Sequence, residues 1–352
     1  MFEDLLTSQN DWFCKDGPLH NVVVSSRVRL ARNIAGKKFP HHSNATEQRE
    51  IVDQVQRVVS ELPPSDHFRF VRLNEISSLD RQFLTEHQLM SVEHAASLGD
   101  RAVAFDSQEG VSLLVNEEDH LRLQVFQPGL NLREAYRSIG EKDEMLGKGL
   151  TYAKDSRLGY LTACPTNIGE ALRASVMLHL PALVYTNRIT QVLQGVAQVG
   201  LIIRGLQGET TQVASAFFQI SNQSSLGKRG VEIVEHVDRV ARQMVEVETQ
   251  AQKAAFQQEG LKLQDRICRA LGMLKNAKLV RIEEALDGLS AVRVGVEQKF
   301  LAGVDLPNLN NLLILIQPAH LTKIAARELG PEDEAIERAR LLRMSLKPVE
   351  AV

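Results

Sequence analysis

Three consecutive acids followed by a histidine and an arginine stand in Asn116-Glu117-Glu118-Asp119-His120-Leu121-Arg122. They lie between two apolar runs, residues 111–115 and 121–126, that read as strands. Acids wedged between buried strands make a poor solvated loop and a good active-site edge. Arginines recur at comparable places. Arg27, Arg29, Arg122, Arg173 and Arg204 each flank an apolar strand or a helix start, where arginine is costly for packing alone. Converging guanidiniums suit a triphosphate, because their forks bind phosphate oxygens bidentately and stay charged. Phosphoryl transfer also needs a group that prepares the nucleophile. Glu118 and Glu209, arriving from two loops, could clamp a flat cationic acceptor such as a guanidinium and accept its proton. A thiolate at Cys164 would add a third negative contact.

Each of these residues also has a plainer reading. Arg27 and Arg29 could be two solvated arginines on an edge strand, Cys164 a buried structural thiol, and Glu209 an acid on an exposed Gly-flanked loop. The common nucleotide signatures are absent. No GxxxxGK[ST] occurs, Leu146-Gly147-Lys148-Gly149 lacks the upstream glycine, and there is no kinase-type HRD/DFG pair. A nucleotide here would be held by arginines rather than by a backbone cradle.

The elements that must position these groups follow from periodicity. In Val22-Val23-Val24-Ser25-Ser26-Arg27-Val28-Arg29-Leu30 the alternation predicts a strand with Arg27 and Arg29 on one face. Apolar spacing predicts helices over residues 46–62, 79–98 (with Leu84, Leu89 and Met90 buried), 130–146 and 231–256. Strands are predicted over residues 68–73, 101–105, 110–115, 158–164, 199–205 and 214–220. Cys164-Pro165-Thr166-Asn167 reads as a turn opening a helix over residues 171–180, which Pro181 stops. That helix would place Cys164 near an N-terminus, where a thiolate is favoured, and Arg173 in the first turns. Beyond residue 257 only helices are predicted. The chain therefore reads as an α/β body, residues 1–245, and a helical domain, residues 246–352.

With 352 residues, 24% charged and 43% hydrophobic, the composition is that of a folded globular chain. A net charge of −3 gives no reason to expect nucleic-acid binding. Cys14, Cys164 and Cys268 form no CxxC pair, so neither a disulfide framework nor a zinc site is expected, and reduced thiols point to the cytoplasm. No secretory leader or membrane-spanning run is read.

Taken in order, several motifs resemble those of the phosphagen (guanidino) kinase family, and the wider pattern its bacterial protein-arginine kinase branch. They are Ser25-Ser26-Arg27-Val28-Arg29-Leu30-Ala31-Arg32-Asn33, Asn116 to Arg122, Cys164-Pro165-Thr166-Asn167, Arg173-Ala174-Ser175-Val176 followed by Met177, and Arg204-Gly205-Leu206-Gln207-Gly208-Glu209. The pattern includes His179-Leu180-Pro181-Ala182-Leu183 and Ile220-Ser221-Asn222-Gln223 and spans nearly the whole chain. The resemblance implies an α+β fold: an antiparallel sheet flanked by helices, followed by an all-helical C-terminal domain for dimerisation and regulation. It implies Mg-ATP held through these arginine motifs and Gln88, with the Mg2+ carried by ATP. Glu118 and Glu209 would bind and activate the acceptor beside Cys164. Implied partners are proteins with exposed arginines, a zinc-finger adaptor, a protease-chaperone complex and a second copy of the chain, with no nucleic acid and no membrane. Members acting on free creatine or arginine carry a helical domain before the first arginine motif. That motif begins here at Ser25, which implies a chain lacking this domain and open on its acceptor side.

Two departures stand out. Gln88 replaces the histidine of the family's Leu-x-Glu-x-His-Leu pattern in Leu84-Thr85-Glu86-His87-Gln88-Leu89, leaving His87 as the substitute or ATP affinity lower. The family's C-terminal RDxxRA motif reads Glu334-Ala335-Ile336-Glu337-Arg338-Ala339, and Glu334 would repel a phosphate there. The expected function is transfer of the ATP γ-phosphoryl group to protein arginines, which would mark the proteins for degradation or alter regulators. The alternatives are a kinase of free guanidino compounds and a weakly active protein-binding scaffold.

Overall fold

The strand Val23–Arg32 (β1) is central to an eight-stranded sheet. Its side chains alternate as the sequence predicts: Val28, Leu30 and Arg32 are buried on one face, Arg27, Arg29 and Ala31 half-buried on the other. The remaining strands are Arg69–Arg72 (β2), Ala102–Phe105 (β3), Val111–Val115 (β4), Leu121–Pro128 (β5), Leu172–His179 (β6), Leu201–Gly205 (β7) and Phe217–Asn222 (β8). They run in the order β2-β3-β4-β5-β1-β6-β8-β7, and every ladder is antiparallel. This computed structural model describes all residues except Met1, 8–10, 64–67, 107, 109 and 206–214.

One face of the sheet is covered by helices. Ala45–Ser60 (α1) starts at a reciprocal cap: Asn44 accepts the Glu47 amide at 2.9 Å, and Glu47 accepts the Asn44 amide at 2.9 Å. Its Ile51, Val52, Val55 and Val59 join Leu132, Ala135 and Ile139 of Leu132–Gly147 (α2) over the buried face of β1. Each such side chain contributes about 1.5–3 kcal/mol by burial. The long helix Gly230–Asn276 (α3) adds Ile233, Val234, Val237 and Ala241 before it kinks at Glu259 (φ −133°, ψ 31°).

The opposite face is divided. Over one half Trp12 stacks on Phe126, with ring centroids 4.1 Å apart. Phe217, Val24 and the C-terminal helices Ile282–Glu297 (α4), Leu306–Leu315 (α5) and Pro331–Ser345 complete that apolar cluster. Arg293 of α4 ties the N-terminal segment down, donating to the His20 carbonyl at 2.7 Å and to Asn310 at 2.5 Å. The other half of the face is left to the arginines.

Several predicted elements differ: the helix expected over residues 231–256 runs on to Asn276, and the C-terminal region, predicted as helices only, also holds a short antiparallel ladder of Leu301–Ala302 with Glu350–Ala351. Where a helix is expected over residues 171–180, Leu172–His179 form strand β6. Leu172, Ala174, Val176 and Leu178 are buried on one side while Arg173, Ser175 and Met177 lie on the other, and this period of two outweighs the helix-like Pro165 and Pro181 boundaries. The helix expected over residues 79–98 is two short ones, Ser78–Glu86 and Val92–Ala96, because Gln88 takes a left-handed backbone (φ 61°) between them. Leu84, Leu89 and Met90 are buried as expected. The strand over 158–164 shrinks to Gly159–Tyr160, paired with Lys154–Asp155. Among the described residues no helix is long and apolar enough to cross a membrane.

Candidate active site

Register brings the arginines together. Arg29 lies opposite Arg173 on β6, Ala31 opposite Arg122 on β5, and Arg27 opposite Ser175. Arg204, on edge strand β7, pairs with Gln219. Arg29, Arg122, Arg173 and Arg204 line one cleft of about 500 Å³ together with Glu117, Glu118 and Asp119. Arg173 donates through Nε and Nη2 to Ser221 Oγ at 3.2 and 2.9 Å. Among the described residues Arg122 is the one of the four held by an acid, with Nη1 2.5 and 2.6 Å from the two oxygens of Glu117.

The electrostatics are those of a site built for an anion. Burial, then the charges of Arg122 and Arg173, pushes the Arg27 guanidinium down to about 9. Burial, then Arg122, pushes Arg29 well below its usual range, and its buried Nε has no hydrogen-bond partner among the described residues. Burial, then Arg204 and Arg122, brings Arg173 to about 10. Cations crowded against one another without counter-charge cost free energy unless an anion enters. A polyphosphate supplies both the charge and the acceptor oxygens.

The acids divide in role. For Glu117, burial pushes upward, but the charge and hydrogen bonds of Arg122 outweigh it and hold the carboxyl below its usual range. Ser91 Oγ also donates to Glu117. Glu118 is exposed at the rim of the cleft. Burial, then the charges of Asp119 and Glu117, raises its pKa, making it a better proton acceptor than an ordinary carboxylate. Cys164 is partly exposed, with Sγ 3.0 Å from Thr166 Oγ1. Only the single turn Pro165–Asn167 follows it, so the expected α-helix dipole at this thiol is not there. The amide of the preceding Ala163 nevertheless donates to Asp119 at 2.7 Å, which brings the thiol's turn against the acid turn.

The other predicted residues separate by strand parity. Ser26, Val28, Ala174 and Val176 are buried on the helix-covered side. Ser26 there accepts the Asn131 amide at 2.9 Å and donates to the Gly129 carbonyl at 2.7 Å. Ser25, Arg27, Gln88, Ser175 and Met177 line a smaller recess of about 20 Å³ beside Trp12 and Phe126. The Gln88 carbonyl accepts from Gln124 Nε2 at 2.7 Å. His87 is turned away, packed between Phe83 and His320. Gly205 ends β7, whereas Leu206, Gln207, Gly208 and Glu209 lie outside the described residues. Sequence reasoning assigned nothing to Glu117, Ser221 or Asp119. Glu117 stood in plain view beside Glu118, but its pairing with Arg122 depends on the fold of the turn. In the C-terminal motif the Arg338 guanidinium donates through Nε to the Ile316 carbonyl (2.9 Å) and through Nη1 to the Val280 carbonyl (3.1 Å), with Glu334 3.8 Å from Nη2, so two of its three nitrogens are committed within the domain.

Residues 50–251 match the ATP:guanido phosphotransferase C-terminal catalytic domain, and residues 260–352 match the protein-arginine kinase McsB C-terminal domain. The chain belongs to the protein-arginine kinase family. It is 41% identical over 343 residues to the protein-arginine kinase of Symbiobacterium thermophilum, covering 96% of this chain and 97% of that one. It is 41% identical over 341 residues to the protein-arginine kinase of Moorella thermoacetica, with the same coverage. Among solved structures, lombricine kinase superposes with a TM-score of 0.60 at 25% identity, over 67% of this chain and 68% of that one. The antiparallel sheet with flanking helices and the helical C-terminal region thus accord with the expected fold class.

Proposed function

We propose that this protein transfers the γ-phosphoryl group of Mg-ATP to the guanidinium of arginine side chains in proteins. The observation that carries this reading is one cleft in which Arg29, Arg122, Arg173 and Arg204 face Glu118. The arginines hold the phosphates and balance charge as the Pγ–O bond breaks, and Mg2+ bound to the phosphates adds further neutralisation. Glu118 orients the acceptor guanidinium and takes the proton its nitrogen loses as the N–Pγ bond forms. ADP departs on the arginine side. Ser25, Gln88, Ser175 and Met177 flank the nucleotide, Glu209 supplies a second carboxylate, and Cys164 lies beside the acceptor.

Residues 1–245 form the kinase body and residues 246–352 a domain for dimerisation and regulation. The protein acts in the cytoplasm as a homodimer, with a zinc-finger adaptor and a protease-chaperone complex as partners, and its mark leads to degradation or altered regulators. The commitment of Arg338 to internal carbonyls supports the expectation that the altered C-terminal motif does not take up phosphoarginine.

The test is incubation with Mg-ATP and an unfolded arginine-rich protein, followed by mass spectrometry for acid-labile phosphate on arginine. Phosphoarginine is expected in the protein and not on free arginine supplied in parallel. No phosphoarginine on either would refute the kinase reading, and transfer to free arginine alone would favour a kinase of small guanidino compounds.

A further inference from the structure

Asp119 stands between the catalytic acid turn and the Cys164 turn, and the reaction as described above gives it no task. It is 3% exposed although it borders the cleft. A single oxygen, Oδ1, accepts two hydrogen bonds from different parts of the chain: Asn33 Nδ2 at 2.6 Å and the Ala163 amide at 2.7 Å. Asn33 directly follows strand β1. Its amide nitrogen also donates to the Leu161 carbonyl at 3.0 Å, and its Oδ1 accepts the His120 amide at 2.9 Å. Three segments thus meet at one buried carboxylate: the end of the arginine strand, the turn that carries Glu118, and the turn that carries Cys164.

His120 closes the same clasp from behind. Its Nδ1 accepts the Ile34 amide at 3.0 Å, so the Nε2 proton goes to the Lys38 carbonyl at 2.8 Å. Both contacts at once require the neutral ring, and burial keeps its pKa low. Asn116, at the other end of the turn, holds a left-handed backbone (φ 61°) and donates to the carbonyls of Gln48 and Asp100, each at 2.9 Å. The acid turn is braced at both ends, and Asp119, with Asn33 beside it, braces it toward the thiol.

We propose that Asp119 is a positioning residue for the acceptor: by tying the Glu118 turn to the Cys164 turn it fixes the gap that a planar guanidinium enters. This rests on the reading of Glu118 as the acceptor's carboxylate. Among the described residues no hydrogen bond of Asp119 reaches an arginine of the phosphate half, and only its charge is felt by Arg122, so the main effect falls on the acceptor. Misplacing a reacting group by about 1 Å costs on the order of 10²-fold in rate.

The experiment compares Asp119→Ala, Asp119→Asn and Asn33→Ala with the unmodified full-length protein. It measures kcat and KM for an arginine peptide, nucleotide affinity, and the rate at which iodoacetamide alkylates Cys164. Asp119→Ala should lose about 10²-fold in kcat/KM for the peptide, keep nucleotide affinity within about twofold, and alter the alkylation rate. Asp119→Asn retains an acceptor oxygen and should recover most of the loss. Asn33→Ala should reproduce the alkylation change, and adding Asp119→Ala to it should add little, as for residues in one network. Unchanged peptide kinetics and alkylation in Asp119→Ala would overturn the proposal, as would parallel losses of peptide turnover and nucleotide affinity. If Asp119→Ala does not fold, Asn33→Ala decides by the same criteria. Full activity of Glu118→Ala in this assay would instead sink the acceptor reading, while the alkylation rates still report on the clasp.

Discussion

Replacing Arg27 with methionine should make the ligand-free protein more stable and the nucleotide-bound protein less so. Arg27 is held at about 9 by burial and by the charges of Arg122 and Arg173. At 1.36 kcal/mol for each tenfold change in protonation equilibrium, the displacement from a free guanidinium corresponds to about 4–5 kcal/mol of unfavourable charging. Water in the open cleft and relaxation return much of it. Removal also forfeits the 5.3 Å approach of the guanidinium to the Phe126 ring and the 3.4 Å contact with Ser175, together worth about 1–2 kcal/mol. A net gain of about 1–2 kcal/mol remains, or roughly 1–3 °C in Tm for a chain of this length. The sign follows from linkage. The folded state releases this proton more readily than the unfolded chain, so the penalty is fully present below about pH 9 and fades as pH rises further. With ATP at 100 times Kd the unmodified protein gains about 2.7 kcal/mol, and Arg27→Met should lose most of that gain. Thermal melts with and without nucleotide therefore cross over. A ligand-free Arg27→Met protein that melts below the unmodified one would refute the reasoning that these arginines are strained until an anion arrives.

Glu118→Ala should abolish transfer while leaving nucleotide affinity, measured by calorimetry, within about threefold. Loss of nucleotide binding would mean that the acid belongs to the phosphate half. Arg204→Ala should slow single-turnover transfer by about 10³-fold or more if this guanidinium neutralises transition-state charge, and a tenfold effect would refute that role. Glu248 is buried, which pushes its pKa up to about 7 even though the amides of Ala182 and Leu183 donate to it at 2.8 and 3.0 Å. The folded state keeps this proton after the unfolded chain has lost it, so stability falls as pH rises from about 4.5 to 7. Denaturation midpoints of Glu248→Gln across that range should show a flatter slope, and an unchanged slope would place the titration elsewhere.

Much of the site is legible in the chain because strand parity is local. Arg27 and Arg29 share a face in any extended reading, and the same parity sends Arg32 to the opposite side, where it pairs with Asp143 at 2.7 Å. Residues 171–180 were harder, since their flanking prolines mimic helix boundaries while the alternation from Leu172 to Leu178 carries the strand. Gln88 shows a different limit: nothing in Glu86-His87-Gln88 announces a left-handed backbone, which the surrounding packing and the Gln124 contact impose. Asp119 lay outside sequence reasoning because its meaning depends on Asn33 and Ala163, 86 and 44 residues away. The pairing of Glu117 with Arg122 and the stacking of Trp12 on Phe126 are likewise products of tertiary placement.

The divided face of the sheet has a consequence for cooperativity. One apolar cluster joins Trp12, Val24, Phe126 and Phe217 to Ile267, Leu286 and Leu313, so it draws on both sides of the boundary that the two family models respect. The strands that carry Arg27 and Arg122 present other side chains to that shared cluster. Loosening those helices would uncover the apolar half of the sheet and withdraw support from the basic half, so a single melting transition is expected. The basic cleft and the C-terminal helices are then expected to share one stability, whatever tasks they divide.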